Sequence, residues 1–285
     1  NYNRKIKIKF NFRNKNQMEK TRIAINGFGR IGRNLFRLLL NHSNIEVVAI
    51  NDIADIKTMS HLVKYDSIHG VLQRSISTKN EMLVIDDLRF QFFHESDISK
   101  LPWKALDIDF VIEATGKFKT TETAQLHISA GAKKVILSAP PEDDNIKTVV
   151  LGVNEHILDG SENIISNASC TTNNAAPMLK IIQELCGIEQ AYITTVHSYT
   201  TDQSLHDQPH KDLRRARGAS QSIIPTTTGA AKAITKIFPE LDGKIGGCGI
   251  RVPVPDGSLT DITFNVNRKV SIEEINLAFK KASEN

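Results

Sequence analysis

The stretch Thr21-Arg22-Ile23-Ala24-Ile25-Asn26-Gly27-Phe28-Gly29-Arg30-Ile31-Gly32-Arg33-Asn34 decides how the first half of this chain is read. Arg22–Asn26 has the apolar run of a buried strand, and Asn34–Leu40 that of a helix. Between them the glycines form a GxGxxG. Glycines at this spacing alone are ordinary turns. Here a strand precedes them, a helix follows, and Asp52 stands 20 residues past Gly32, at the end of the next apolar run, Ile45–Ile50. Together these are the fingerprint of a dinucleotide site. Gly27 permits the tight turn, Gly29 lets backbone approach a pyrophosphate, and Gly32 lets helix and strand pack closely. The amides at the helix start meet the anion. Asp52 can accept hydrogen bonds from both ribose hydroxyls and would repel a 2′-phosphate, which points to NAD rather than NADP. Taken alone, Asp52 reads equally well as a solvated strand-end acid.

The same grammar continues outward. Ile56–Lys64 predicts a helix, Met82–Ile85 and Leu88–Phe93 a hairpin around Asp86-Asp87, Phe110–Glu113 a strand, Thr121–Ala130 a helix and Lys134–Leu137 a strand. Strands alternating with helices predict a parallel sheet with helices on both faces. After residue 165 the pattern changes. Ser169–Leu185 predicts a helix, Gln190–His197 a strand, Gly249–Val254 and Ser258–Asn267 two more strands, and Ser271–Ala282 a helix. Ser198–Ser222 is polar with no period, a length that marks a functional or disordered loop. The expected fold class is α/β: a Rossmann-type parallel-sheet domain, then an α+β catalytic domain with a mainly antiparallel sheet. The expected division is 1–20 as an extension, 21–168 as the NAD-binding domain and 169–285 as the catalytic domain.

Composition narrows the function. The chain has 285 residues, 40% of them hydrophobic, and no apolar run approaches the roughly 20 residues of a membrane helix. Three cysteines without a CxxC argue against a disulfide framework or zinc site and for a reducing, cytoplasmic compartment. The formal charge of +4 conceals a split, because residues 1–20 carry seven Lys or Arg and one Glu, leaving the other 265 residues at a net −2. The body therefore shows no bias toward nucleic acid. Three readings compete for the basic start. It is a targeting peptide without serine, an edge strand alternating over Lys5–Phe10, or a translated stretch upstream of a natural start at Met18. The last is favoured.

Ser169-Cys170-Thr171-Thr172-Asn173 lies where a helix begins. The positive end of a helix favours thiolate over thiol. A lone cysteine is more often a buried structural residue, but polar neighbours on both sides argue against deep apolar burial here. Cys186 and Cys248 read as structural. His197 ends the next strand, and a strand returning past that helix can bring it back as a general base, although spacing alone does not show this. Thr226-Thr227-Thr228-Gly229 before a helix from Ala230 offers hydroxyls and free amides to an anion. Arg214, Arg215, Arg217 and Arg251 are candidate phosphate clamps, with a solvated face or a subunit contact as the competing reading.

The segments Asn26–Arg33, Lys64–Gly70, Ser166–Asn173, Pro209–Arg217 and Ile224–Lys232 closely resemble glyceraldehyde-3-phosphate dehydrogenases, and the resemblance runs from Thr21 to Asn285. It implies that Cys170 is the nucleophile and His197 its base in an NAD-dependent, phosphorylating oxidation of glyceraldehyde 3-phosphate to 1,3-bisphosphoglycerate through a thioester. It implies Thr200, Arg214 and Arg251 at the substrate phosphate, and Ser169, Thr171, Thr228 and Gly229 at inorganic phosphate. Cofactor contacts from Arg30, Ile31, Asp52 and Ser138, no metal, and a homotetramer built on the Ser198–Ser222 loop are also implied. Three departures stand out. Ser96 replaces an arginine common after the acid at Glu95, Asn174 replaces a second cysteine, and members of the family continue for some tens of residues past the position of Asn285. The expectation drawn from the last is a truncated, poorly stable and weakly active chain. Erythrose-4-phosphate dehydrogenase and an inactive fragment with only a binding role are the alternatives.

Overall fold

β1 (Thr21–Asn26) is buried along its last four residues, as a strand covered on both faces must be. In this computed structural model, which describes residues 20–284 and only the backbone of 230–232, it forms the middle of a nine-stranded sheet. The strand reading of Lys5–Phe10 lies outside the described residues. The chain continues through α1 (Arg30–Leu39), β2 (Ile45–Asn51), α2 (Ile56–Lys64), the short pair β3 (Tyr65–Asp66) and β4 (Gly70–Val71), and β5 (Ile76–Thr78). It then forms β6 (Met82–Ile85), β7 (Leu88–Phe93), β8 (Phe110–Glu113), α3 (Thr121–Ser129), β9 (Lys134–Leu137), β10 (Lys147–Thr148) and β11 (Ile164–Ser166). The sheet order is β10-β11-β9-β8-β1-β2-β7-β6-β5. Pairs from β10 to β7 are parallel, and β6 pairs antiparallel with β7 and with β5.

Alternation along β1 explains the layers. Ile23 and Ile25 pack with Phe28, Phe36, Val63 and Leu83 on one face. Ala24, between them, joins Trp103, Val111, Ala124 and Val135 on the other. Successive side chains of a strand point to opposite faces, so each face meets its own helical layer. The chain leaves β1 for β2 on one side and later returns to β8 on the other. The β1–β8 boundary is therefore the switch point, where an open sheet of this kind leaves a crevice beyond its strand ends.

The second sheet follows α4 (Cys170–Cys186). Thr172, Ala175, Ala176, Leu179, Ile182 and Cys186 form the buried stripe of α4, at the spacing of a helix face. Gly187 ends it with φ +68°. β12 (Ile188–Ser198) runs parallel to β14 (Ile245–Val252) and antiparallel to β15 (Leu259–Val266). β13 (Ile224–Thr226) is antiparallel to β14. Two of three pairings are antiparallel, so this domain has a mainly antiparallel sheet as expected. α5 (Ala230–Ile237) and α6 (Ile272–Ser283) complete it. Between Ser198 and β13 the regular structure is one 3-10 turn, Leu213–Arg215.

α1 starts four residues earlier than its apolar pattern predicts. Glycine lowers helix propensity, but Gly32 serves packing here, since a Cβ on it would lie 2.1 Å from the Gly27 carbonyl oxygen. The strands absent from the sequence reading are β3, β4, β5, β10, β11 and β13, each of two or three residues. That is too short for a period to show.

Candidate active site

Ser166 ends β11, and its hydroxyl accepts from the Ala168 amide at 3.1 Å and donates to the Ala139 carbonyl at 2.8 Å. Ala168 then takes φ +60°, a left-handed conformation that costs a non-glycine residue on the order of 1 kcal/mol. This sharp turn starts α4. Ser169 caps it, accepting from the Thr172 amide at 3.1 Å, and Cys170 is the first helical residue. Cys170 is exposed as a residue, with its sulfur partly enclosed by the site. From the end of β12, His197 reaches back so that Nε2 stands 3.3 Å from the Cys170 sulfur.

His197 has crowded neighbours. Its Nδ1 lies 2.7 Å from the Ser198 carbonyl oxygen and 2.5 Å from Nη1 of Arg251, which itself donates to that carbonyl at 2.8 Å. Nδ1 cannot donate to Ser198 and also accept from Arg251. When Nδ1 donates to Ser198, Nε2 is left to accept the thiol proton; when it accepts from Arg251, Nε2 carries the ring proton, so the choice between these two bonds sets the tautomer. The hydrogen bond to His197 lowers the Cys170 thiol to about 7, against the opposing effect of burial, with further help from the imidazole charge and Thr171. The same bond raises His197, while burial and the Arg251 charge oppose it. Burial and then the charge of Arg215 lower Arg251.

Around this pair lies a cleft of about 260 Å³, lined by Pro140, Ser169, Cys170, Thr171, Thr195, His197, Arg215, Thr226, Thr227, Thr228, Gly229, Ala233, Gly249 and Arg251. Ser169, Thr171, Thr228, Gly229 and Arg251 thus join the cysteine and histidine. Thr200 and Arg214 are not in the lining. Arg214 is exposed and paired with Asp212 at 3.1 Å. Arg215 takes the inward place, held by Asp202 at 2.6 Å. Adjacent arginines on a 3-10 turn diverge, and the sequence does not say which one enters. Thr195 is a lining residue that the sequence reading does not single out. It sits two residues before His197 on β12, hence on the same face, and that alternation was the available signal. Gly249 lies opposite Thr195 in the sheet.

At the switch point Gly27 has φ +93°, which only glycine adopts without strain. Gly29 has open space where a Cβ would stand, and no side chain caps the start of α1. A backbone face this bare, at a helix N-terminus, fits a pyrophosphate. Asp52 ends on this turn, its Oδ2 accepting from the Phe28 amide at 2.6 Å and its Oδ1 from Ala54 at 2.9 Å. Each oxygen keeps a further lone pair for a ribose hydroxyl. Arg30 is ion-paired with Asp66, Ile31 is exposed, and the Ser138 amide is bonded to the Glu113 carbonyl beyond β9. Pro140, two residues on, already lines the cleft of Cys170. Among the described residues no group of three or more His, Cys, Asp or Glu is arranged to hold a metal ion.

Comparison with known proteins gives the family of this chain. Residues 21–121 match the model of the glyceraldehyde 3-phosphate dehydrogenase NAD binding domain, and residues 169–285 that of its C-terminal domain. The chain belongs to the glyceraldehyde-3-phosphate dehydrogenase family. Glyceraldehyde-3-phosphate dehydrogenase 1 of Bacillus cereus is 48% identical over 265 residues, covering 93% of this chain and 79% of the relative. The Geobacillus stearothermophilus enzyme is 50% identical over 264 residues, covering 92% and 78%. The Mycobacterium avium enzyme is 51% identical over 270 residues, covering 92% and 79%. The family's NAD-binding and C-terminal halves thus correspond to the parallel and the mainly antiparallel sheet of this fold.

Proposed function

We propose that this chain converts glyceraldehyde 3-phosphate, phosphate and NAD to 1,3-bisphosphoglycerate and NADH. The observation that carries the reading is the 3.3 Å approach of the Cys170 sulfur to Nε2 of His197 in a cleft lined by arginines and hydroxyls. Nε2 takes the thiol proton, and the thiolate attacks the aldehyde carbon. The imidazolium then stands beside the oxygen of the hemithioacetal and stabilises it. A bound NAD would supply the hydride acceptor that turns this hemithioacetal into a thioester on Cys170. A phosphate oxygen attacks the thioester and the thiolate departs, to be reprotonated by His197. Arg215, Arg251 and the Thr226–Gly229 turn supply the cationic and hydrogen-bonding groups that two phosphates need in one cleft. Gly27, Gly29, Gly32 and Asp52 would hold the dinucleotide.

The residue division at 168/169 is part of this proposal and is supported by the start of α4 at Cys170. A glycolytic or gluconeogenic role, a cytoplasmic location and a homotetramer belong to it as well. Exposed Leu205, Leu213 and Ile223, on or beside the 198–222 loop, support the last. Among the described residues no helix is long and apolar enough to cross a membrane.

The deciding experiment follows NADH formation with each reactant omitted in turn. Turnover should require both aldehyde and phosphate, and kcat/KM should be higher for the triose than for erythrose 4-phosphate. Cys170→Ser should abolish turnover and leave NAD binding in place. Phosphate-independent turnover, or an active serine variant, would overturn the reading.

A further inference from the structure

Beneath the dinucleotide crevice runs a chain of buried polar side chains that the chemistry at Cys170 does not use. Trp103 and His127 are fully buried, and Glu113, Asn26 and Asn51 nearly so. The indole Nε1–H of Trp103 donates to Nδ1 of His127 at 3.0 Å. An indole nitrogen only donates, so Nδ1 accepts and Nε2 carries the ring proton. Nε2 donates to Oε2 of Glu113 at 3.2 Å. The Asn26 amide nitrogen, 3.4 Å from Nε2, is a donor facing a donor there, and its bond goes instead to the same Oε2 at 2.6 Å. Oε1 of Glu113 accepts from the Thr115 amide at 2.7 Å and from the Thr115 hydroxyl. Four neutral donors therefore converge on one buried carboxylate. The chain continues sideways. Asn26 Oδ1 accepts from Asn51 at 2.7 Å, and Asn51 grips the Glu95 peptide with both amide atoms at 2.9 Å.

Glu113, Asn26, Asn51 and Glu95 lie at or just past the carboxyl ends of β8, β1, β2 and β7, four strands adjacent in the sheet, with His127 reaching them from α3. The loops that leave those ends form the crevice. Gly27 presses so closely on the neighbouring loop that a Cβ there would lie 2.5 Å from the Thr115 amide nitrogen. That is the amide Glu113 holds.

We infer that the Trp103–His127–Glu113–Asn26–Asn51 chain fixes the relative positions of the loops that bind NAD. Glu113 and His127 are positioning residues, acting on the cofactor through Thr115 and Gly27 without touching it. Burying a carboxylate among neutral donors is costly compared with apolar packing, and such a network is informative about what must be held in register. The inference rests on the crevice being the NAD site.

The test compares Glu113→Gln and Trp103→Phe with the wild-type chain. Glu113→Gln keeps the shape but turns an acceptor into a donor facing donors. Trp103→Phe keeps an aromatic ring and frees Nδ1, so the His127 proton is no longer fixed on Nε2. Calorimetry gives the Kd for NAD, and iodoacetamide alkylation of Cys170 reports the other site. The expected result is an NAD Kd raised about tenfold in Glu113→Gln and about threefold in Trp103→Phe, with alkylation rates within twofold of wild type. A Kd within twofold of wild type in both variants overturns the inference. So does a fall in alkylation parallel to the loss of NAD, the mark of a merely structural role. If Glu113→Gln does not fold, Trp103→Phe decides alone. A wild-type chain that binds no NAD overturns the reading of the crevice itself, a result distinguishable from variants that match a binding-competent wild type.

Discussion

At the scale of single residues, the protonation of Cys170 is the sharpest consequence of the site. With the thiol lowered to about 7 by its bond to His197, the thiolate fraction rises with pH through that value. Alkylation of Cys170 should follow the same curve. His197→Asn removes the first cause, so the midpoint should climb toward the ordinary thiol range of about 8.5, with slower alkylation at pH 7. A midpoint unmoved by the substitution would mean that the helix end alone activates the sulfur. A second residue-scale prediction separates two neighbours. Arg215→Ala should raise the KM for phosphate at least tenfold, since it removes a cleft guanidinium, whereas Arg214→Ala should leave it within twofold. The motif around Cys170 is legible in the sequence because helix capping and the thiol occupy consecutive residues. The choice between Arg214 and Arg215 is not, because it depends on the Asp202 and Asp212 carboxylates, which reach the turn from different positions of a loop without a period.

At the scale of elements, the glycine turn and its helix carry the argument. Apolar runs of four or more residues bounded by turns are legible in the sequence, since α2, β6, β7, β8 and β9 match their predicted bounds, while the longer β12, β14 and β15 are found with ends displaced by one to four residues. Their periodicity or bounding turns extend over enough residues to outweigh noise. Strands of two or three residues are too short for a period to show, whether the partner is near in sequence, as for β3 and β4, or farther away, as for β10 and β11. α1 is also tied to the β3–β4 turn through Asp66, whose carboxyl burial would raise. The amides of His69 and Ile68, and the Arg30 guanidinium, prevail and hold it at about 2. A carboxyl lowered in the folded state contributes stability that is present above its unfolded value near 4 and is lost as pH falls from there toward 2. The shift corresponds to about 2 kcal/mol. Asp66→Asn should therefore reduce the unfolding free energy at pH 7 by about that amount. The difference from wild type should close between about pH 4 and 2 in urea titrations, and a difference constant across that window would refute the linkage.

At the scale of the whole molecule, two sheets with separate apolar clusters meet where Pro140, beyond β9, lines the cleft of Cys170. One half carries the crevice, the other the thiol, and turnover needs both. Each half should then be disabled without loss of the other's binding or reactivity. Gly32→Ala places a Cβ 2.1 Å from the Gly27 carbonyl oxygen. Backbone cannot yield as a side-chain tip does, so α1 must move away from β1, at a cost of about 1–3 kcal/mol as for other overpacked sites. The glycine turn widens with it. The expected outcome is NAD affinity lowered at least tenfold, with Cys170 alkylated at pH 7 at nearly the wild-type rate. Cys170→Ser should show the opposite pattern, with NAD bound normally and no turnover. If Gly32→Ala instead slows alkylation in proportion to its loss of NAD, the Cys170–His197 pair depends on the position of α1. The thiol's reactivity would then be a property of the assembled molecule rather than of α4 and β12.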